Sequence, residues 1–284
     1  MSTVNTELLG EVVSWDVEAK ELHLDTIRSA LTTAGLDPDM MAELTPKAAF
    51  QRACSELKED RAIDKVEREK ELIRFQFTKK LLEEGRMDYD YECMVTLNTE
   101  TGAVECHEYP EIADKAEELL QHAIHHRNAQ DVTRLVQNLF GKNADLFPIN
   151  PKKGVAYFVP EAHREFTSKV DHFLSLVGGN LSRFPVPAGT IEGNKSVKEA
   201  VECGLSALIA ELDGCVQSWD DTTRKTTFDK AIAKYDSIAY KVEAYAEYLS
   251  ASTDGLKEKV NASKKALAEK VTSLAEIEGK AEAA

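Results

Sequence analysis

Glu118, His122 and His126 follow one another at intervals of four residues, with His125 beside them. On a helix these positions share one face, and two imidazoles at i and i+4 are a common way to chelate a divalent metal. No H-E-x-x-H motif accompanies them, and no further ligand is fixed by spacing. The bland reading of the same residues is a solvated helix face whose histidines suit the negative end of the helix dipole, and it outweighs the metal centre. Two acidic groups invite a similar comparison. Asp88, Asp90 and Glu92 alternate along one strand-like stretch, as carboxylates on a wet sheet face would, and Asp220 with Asp221 read as a turn before a helix.

A basic candidate lies in residues 46–86, where eleven Lys and Arg meet nine Asp and Glu, an excess of two. Helix, helix and hairpin in that order is also the order of a winged-helix module. Lys79 and Lys80 then lie near the hairpin tip and are the candidate nucleic-acid contacts. An ordinary mixed-charge surface explains the same residues. Gly178 and Gly179 follow a helical pattern and suit its C-cap better than a phosphate loop. The five cysteines are widely spaced and contain no C-x-x-C pair, a usage suited to a reducing compartment. No serine or cysteine has a histidine pattern that supports a nucleophile, and no cofactor is expected.

The elements that must carry these residues are legible in the patterning. Residues 8–17 alternate at Val13, Trp15 and Val17, which predicts a half-buried strand. A helix follows from Asp25 to about Gly35, and Thr45-Pro46 opens another through about Leu57. Ile73, Phe75 and Phe77, then Tyr89, Tyr91, Cys93 and Val95, then Val104 and Cys106, alternate as a three-stranded antiparallel meander. Helices are expected over about 110–127, 129–140 and 161–177. The apolar run Val155–Val159 reads as a strand buried on both faces, and Arg183–Pro187, with its two prolines, as an edge strand.

Beyond a linker near 188–194 the patterning becomes wholly helical, with helices expected at about 195–219, 222–250 and 254–276. In the middle one Phe228, Ile232, Tyr235, Ala239, Val242, Ala246 and Leu249 recur at spacings of four and three. Such a stripe must be covered by another helix, so these seven residues form either a seam within a hairpin or an oligomer interface. The expected fold is therefore α+β. Helices surround a small antiparallel sheet in 1–188, a helical hairpin or coiled-coil-like extension occupies 195–276, and 277–284 form a frayed tail.

Composition excludes several functions. The 284 residues carry a net charge of −15, with 43% apolar and 30% charged residues. That suits a folded acidic protein with no general attraction to nucleic acid or anionic membrane. No apolar run approaches a membrane span, no secretory signal is visible at the N-terminus, and a cytoplasmic location is expected.

Thr45–Leu57 (Thr-Pro-Lys-Ala-Ala-Phe-Gln-Arg-Ala-Cys-Ser-Glu-Leu) and Gly154–Pro187 (Gly-Val-Ala-Tyr-Phe-Val-Pro, a helix, then Arg-Phe-Pro-Val-Pro) resemble a family of uncharacterised bacterial and bacteriophage proteins. The resemblance covers about the first two-thirds of the chain. It implies a prokaryotic or phage origin and no mechanism.

The expected function is a non-enzymatic, self-associating scaffold or protein-binding protein, of the kind that acts in phage–host conflict. A homo-oligomer and a protein partner are expected. The competing expectations are a nucleic-acid-binding regulator using 46–86 and a metal-dependent enzyme centred on Glu118, His122 and His126.

Overall fold

The computed structural model describes residues 7–18, 21–58, 61–68, 71–83, 86–150, 155–220, 223–249 and 252–281. In chain order the elements begin β1 (Leu8–Val17), β2 (Glu21–His23), α1 (Leu24–Thr33), α2 (Pro46–Glu56), β3 (Arg61–Arg68), β4 (Leu72–Glu83), β5 (Arg86–Asn98) and β6 (Val104–Glu105). They continue with α3 (Pro110–His125), β7 (His126–Asn128), α4 (Ala129–Asn143), β8 (Phe147–Pro148), β9 (Tyr157–Pro160), α5 (Arg164–Leu176) and β10 (Gly179–Pro187). The helical part is α6 (Ile191–Gln217), α7 (Lys225–Ala244), α8 (Ala246–Leu249) and α9 (Ser252–Ala281). Helices and small antiparallel sheets together make the fold α+β, as the patterning predicts.

The chain divides into two compact units, one of Val17–Asn138 with His172–Gly179, the other of Met1–Asp16, Leu139–Asp171 and Asn180–Ala284. In the first, the antiparallel sheet β3-β4-β5-β6 packs one face on α2 and α3. Strand alternation supplies the inner face: Ile73, Phe75 and Phe77 of β4 and Cys93, Val95 and Leu97 of β5 are buried against Phe50, Ala53, Cys54, Ala116 and Leu120. The expected meander gains an edge strand, because charged residues 61–68 pair along β4 from Arg61↔Lys79 to Arg68↔Ile73. Nothing in the composition of β3 announces a strand; its partner's open edge recruits it. The start of α2 is as read, with Thr45 accepting from the Ala48 N–H and Pro46 opening the first turn.

In the second unit the sheet order is β10-β1-β9-β8, with β1 antiparallel to β9 from Gly10↔Pro160 to Val13↔Tyr157. Val159 crosses β1 so closely that a Cβ on Gly10 would lie 2.2 Å from its carbonyl oxygen. Glu11 is buried on β1 and neutralised by Arg183 of β10, which reaches both carboxylate oxygens at 2.5 Å. The proline-bearing β10 is the edge strand predicted. Phe147 and Phe158 from this sheet belong to the same apolar core as α6, α7, α8 and α9. The helices therefore share a unit with β1 and β8–β10 and do not form the separate 195–276 extension expected from composition. Thr190 also closes the first turn of α6 by accepting from the Asn194 N–H, which starts that helix inside the expected linker. At the other end α9 continues to Ala281, where fraying was expected from 277.

The heptad stripe is rotated by about one residue along half its length. Tyr235, Val242 and Leu249 are buried as expected, but the residues that alternate with them are Ala231, Ile238 and Tyr245. Ala239 and Ala246 are half-buried, Phe228 stacks obliquely on Trp219 at 5.0 Å, and Ile232 is 47% exposed. All of the buried members pack inside this chain, against α6 and α9. The predicted single helix over 222–250 is interrupted at Tyr245, between α7 and α8.

Candidate functional site

The histidines come together, but not around a point. His126 has left the helix: α3 ends at His125 and the His126 backbone is extended, so Glu118, His122 and His126 do not continue one stripe. His122 and His126 stack face to face at 4.2 Å with planes 6° apart, and His126 Nδ1 lies 3.2 Å from the His122 carbonyl oxygen. Imidazole lone pairs lie in the ring plane, so stacked rings aim theirs side by side and do not converge on one ion. Glu118 turns instead to Lys115 at 2.7 Å, which with its positive charge holds the Glu118 carboxyl below the usual range. His122 meets Glu21 at 3.3 Å, and His23 stacks on His125 and meets His126 edge-on. Among the described residues no group of three or more His, Cys, Asp or Glu is arranged to hold a metal ion.

Behind this stack Arg127 is 2% exposed and gives its guanidinium to the carbonyls of Ala42, Ala123, Ile124 and His126. Arg52 pairs with Asp131 through two 2.8 Å hydrogen bonds. Both arginines are spent on holding the α3–β7–α4 corner together.

Lys79 and Lys80 lie within the paired part of β4, which continues to Glu83 opposite Arg86 of β5. Lys79 stands opposite Asp90 and Lys80 opposite Tyr89. Glu92 is bound by Arg61 at 2.6 and 3.0 Å, so the acidic alternation on β5 is matched across the sheet. The Asp88 side chain and Asp221 lie outside the described residues. Asp220 closes a turn with Thr223, whose hydroxyl accepts from the Asp220 N–H.

A polar cluster that no local spacing announces forms in the second unit. Asp145, just after α4, accepts from the Tyr245 hydroxyl, meets Lys241 Nζ at 2.5 Å and lies 3.5 Å from His163 Nε2. That nitrogen is also 3.2 Å from the Tyr245 oxygen. Burial works to raise the Asp145 carboxyl, but the hydrogen bonds from His163, Lys241 and Tyr245 outweigh it and hold the group below the usual carboxylate range. Burial, then the bond to Asp145, pushes the Tyr245 phenol upward. Acid, base and cation thus satisfy one another. Only the i, i+4 pair Lys241/Tyr245 is visible in the sequence; Asp145 and His163 are brought in by the fold. A second polar clamp joins three helices: Asp213 of α6 accepts from Tyr235 of α7 at 2.5 Å and from Ser263 of α9 at 3.0 Å.

Beside Lys241 the surface opens. A groove of about 190 Å³ runs between α6 and α7, lined by Leu208, Glu211, Leu212, Cys215, Lys234, Ser237, Ile238 and Lys241. Its floor is apolar, with Leu212 and Ile238 buried, and Leu208 stands on its lip at 40% exposure. A larger cavity of about 500 Å³ lies in the same unit, near the start of α6. Two lysines (Lys195, Lys198) and two glutamates (Glu7, Glu247) line it, so its charge balances to zero and no single ligand chemistry is selected. Sequence reasoning placed the sticky surface on the heptad of α7. The mark of the groove is Leu208, a large apolar residue of α6 that stands half out of the core.

No curated protein and no solved structure matches this chain. A model of a family of unknown function (DUF6744) matches residues 8–280. The match runs through α6, α7 and α9, so the C-terminal helices, which lay outside the resemblance noted in the sequence, are part of what the family shares. The chain belongs to this family of unknown function, DUF6744.

Proposed function

We propose that this protein is a non-enzymatic, self-associating scaffold, encoded by a prokaryote or phage, whose docking surface is the groove between α6 and α7. The observation that carries the reading is that groove: buried Leu212 and Ile238 at its base, Leu208 on its lip, and charges along its rims. Its volume is smaller than the roughly 300–1,000 Å³ of small-molecule sites and suits inserted side chains, as when one helix packs its knobs into the holes of another. The buried acid–base cluster at Asp145 supports the same reading, since its groups are occupied with each other. The prokaryotic or phage origin rests on the resemblance of Thr45–Leu57 and Gly154–Pro187.

Leu208→Glu tests this. The site is on the surface, so folding stability should change by no more than about 0.5 kcal/mol. Light scattering should find an assembly for the unaltered protein and the mass of one chain for the variant. Equal masses for the two would overturn the proposal.

A further inference from the structure

Resting on that reading, we infer that the occupant of the groove is a second copy of this chain, docked about a two-fold axis that runs along the groove. The argument is one of charge and level. Glu211 stands on the α6 rim and Lys234 on the α7 rim, and neither has an ion-pair partner among the described residues. One wall is thus acidic and the other basic, with an apolar floor between them.

The two helices are antiparallel neighbours, because Trp219 at the end of α6 packs on Phe228 near the start of α7, while Asp213 bonds Tyr235 one to two turns further in. That last bond fixes their relative level. Glu211 is two residues before Asp213, and Lys234 is one residue before Tyr235 on the opposed helix. The two rim charges are therefore offset by about 4.5 Å along the groove at 1.5 Å per residue, within reach of both long side chains.

A two-fold axis along the groove lays α6 of each copy over α7 of the other. Such an isologous contact repeats every interaction twice. It brings Glu211 of each copy to Lys234 of its partner and sets each Leu208 over the other groove, near Ile238 and the stem of Lys241. A two-fold axis across the groove instead lays α6 on α6 and α7 on α7, so that acidic wall faces acidic wall and basic faces basic, and is disfavoured by charge.

The pairing is tested by charge reversal. Glu211→Lys alone makes two like-charged contacts at the interface, and so does Lys234→Glu. Each variant should sediment as a single chain at concentrations where the unaltered protein is a dimer. Mixed in equal amounts, the two should recover the dimer mass, because every contact in the mixed pair again joins opposite charges. The double variant Glu211→Lys with Lys234→Glu should also recover it. Both positions are exposed, so each variant should retain its helices, which circular dichroism checks. If the unaltered protein is a dimer that Leu208→Glu dissociates, while the single reversals leave it intact or mixing restores nothing, the groove remains the docking surface and this pairing is wrong. If the unaltered protein sediments as one chain throughout, both the pairing and the reading beneath it fall.

Discussion

Asp145 shows how much one residue can organise. Its carboxylate is shared by Lys241 and Tyr245, one turn apart at the end of α7, and by His163 from a distant stretch of chain, and its side chain is largely buried. Asparagine at this position would leave the Lys241 ammonium without its countercharge, at a cost of about 3 kcal/mol at neutral pH. The pH dependence has a definite sign. The carboxyl is held below its ordinary value in the fold, whereas in the unfolded chain it titrates near about 3.9. Between those values the unfolded chain binds the extra proton, so the stabilisation is complete above roughly pH 5 and declines as pH falls through 4. Urea unfolding at pH 7 and pH 3 should find Asp145→Asn well below the unaltered protein at the first and closer to it at the second. A deficit that is independent of pH would show that the carboxylate's charge is not what matters. None of this was legible in the sequence, where Asp145 is one acid in a loop and His163 a lone histidine after a proline.

Among the elements, the strands and caps were legible because their determinants are local. Alternation at Ile73, Phe75 and Phe77 could be satisfied only by a sheet with one covered face, and Thr45-Pro46 fixes a helix start by its own hydrogen bond. The edge strand β3 was not legible, because its charged residues pair by virtue of a neighbour. The stripe of α7 falls between these cases. Period and helix were correct, but the rotation was decided by partners: Tyr235 must reach Asp213, and Tyr245 must reach Asp145. These two contacts turn Ile238 inward and leave Ile232 at the surface. Ile238→Ala should accordingly lower stability by about 2–4 kcal/mol, and Ile232→Ala by less than about 1. Thermal or denaturant unfolding of the two variants checks this directly, and the opposite order would restore the stripe as the sequence suggested it. The histidine spacing failed for a related reason. It assumed a helix through His126, and the chain leaves the helix one residue earlier.

At the scale of the whole molecule, no helix of the described residues is long and apolar enough to cross a membrane, and an acidic chain presents an apolar groove flanked by charge of both signs. The central claim is that this groove is covered by another copy of the chain. Cys215 reports on it from within, since it lines the groove and is exposed in the single chain. Cys54 and Cys93 give no competing signal, because burial pushes both thiols up to about 12, with Cys106 adding to the effect at Cys93. Cys203, half-buried and outside the groove, serves as an internal reference. The decisive measurement is the alkylation rate of Cys215 relative to Cys203, followed by peptide mass across dilutions that span the change in assembly mass. The account predicts slow modification of Cys215 in the concentrated protein and faster modification on dilution, with Leu208→Glu fast throughout. A rate at Cys215 that tracks Cys203 at every dilution, while the mass changes, would place the contact elsewhere and contradict it.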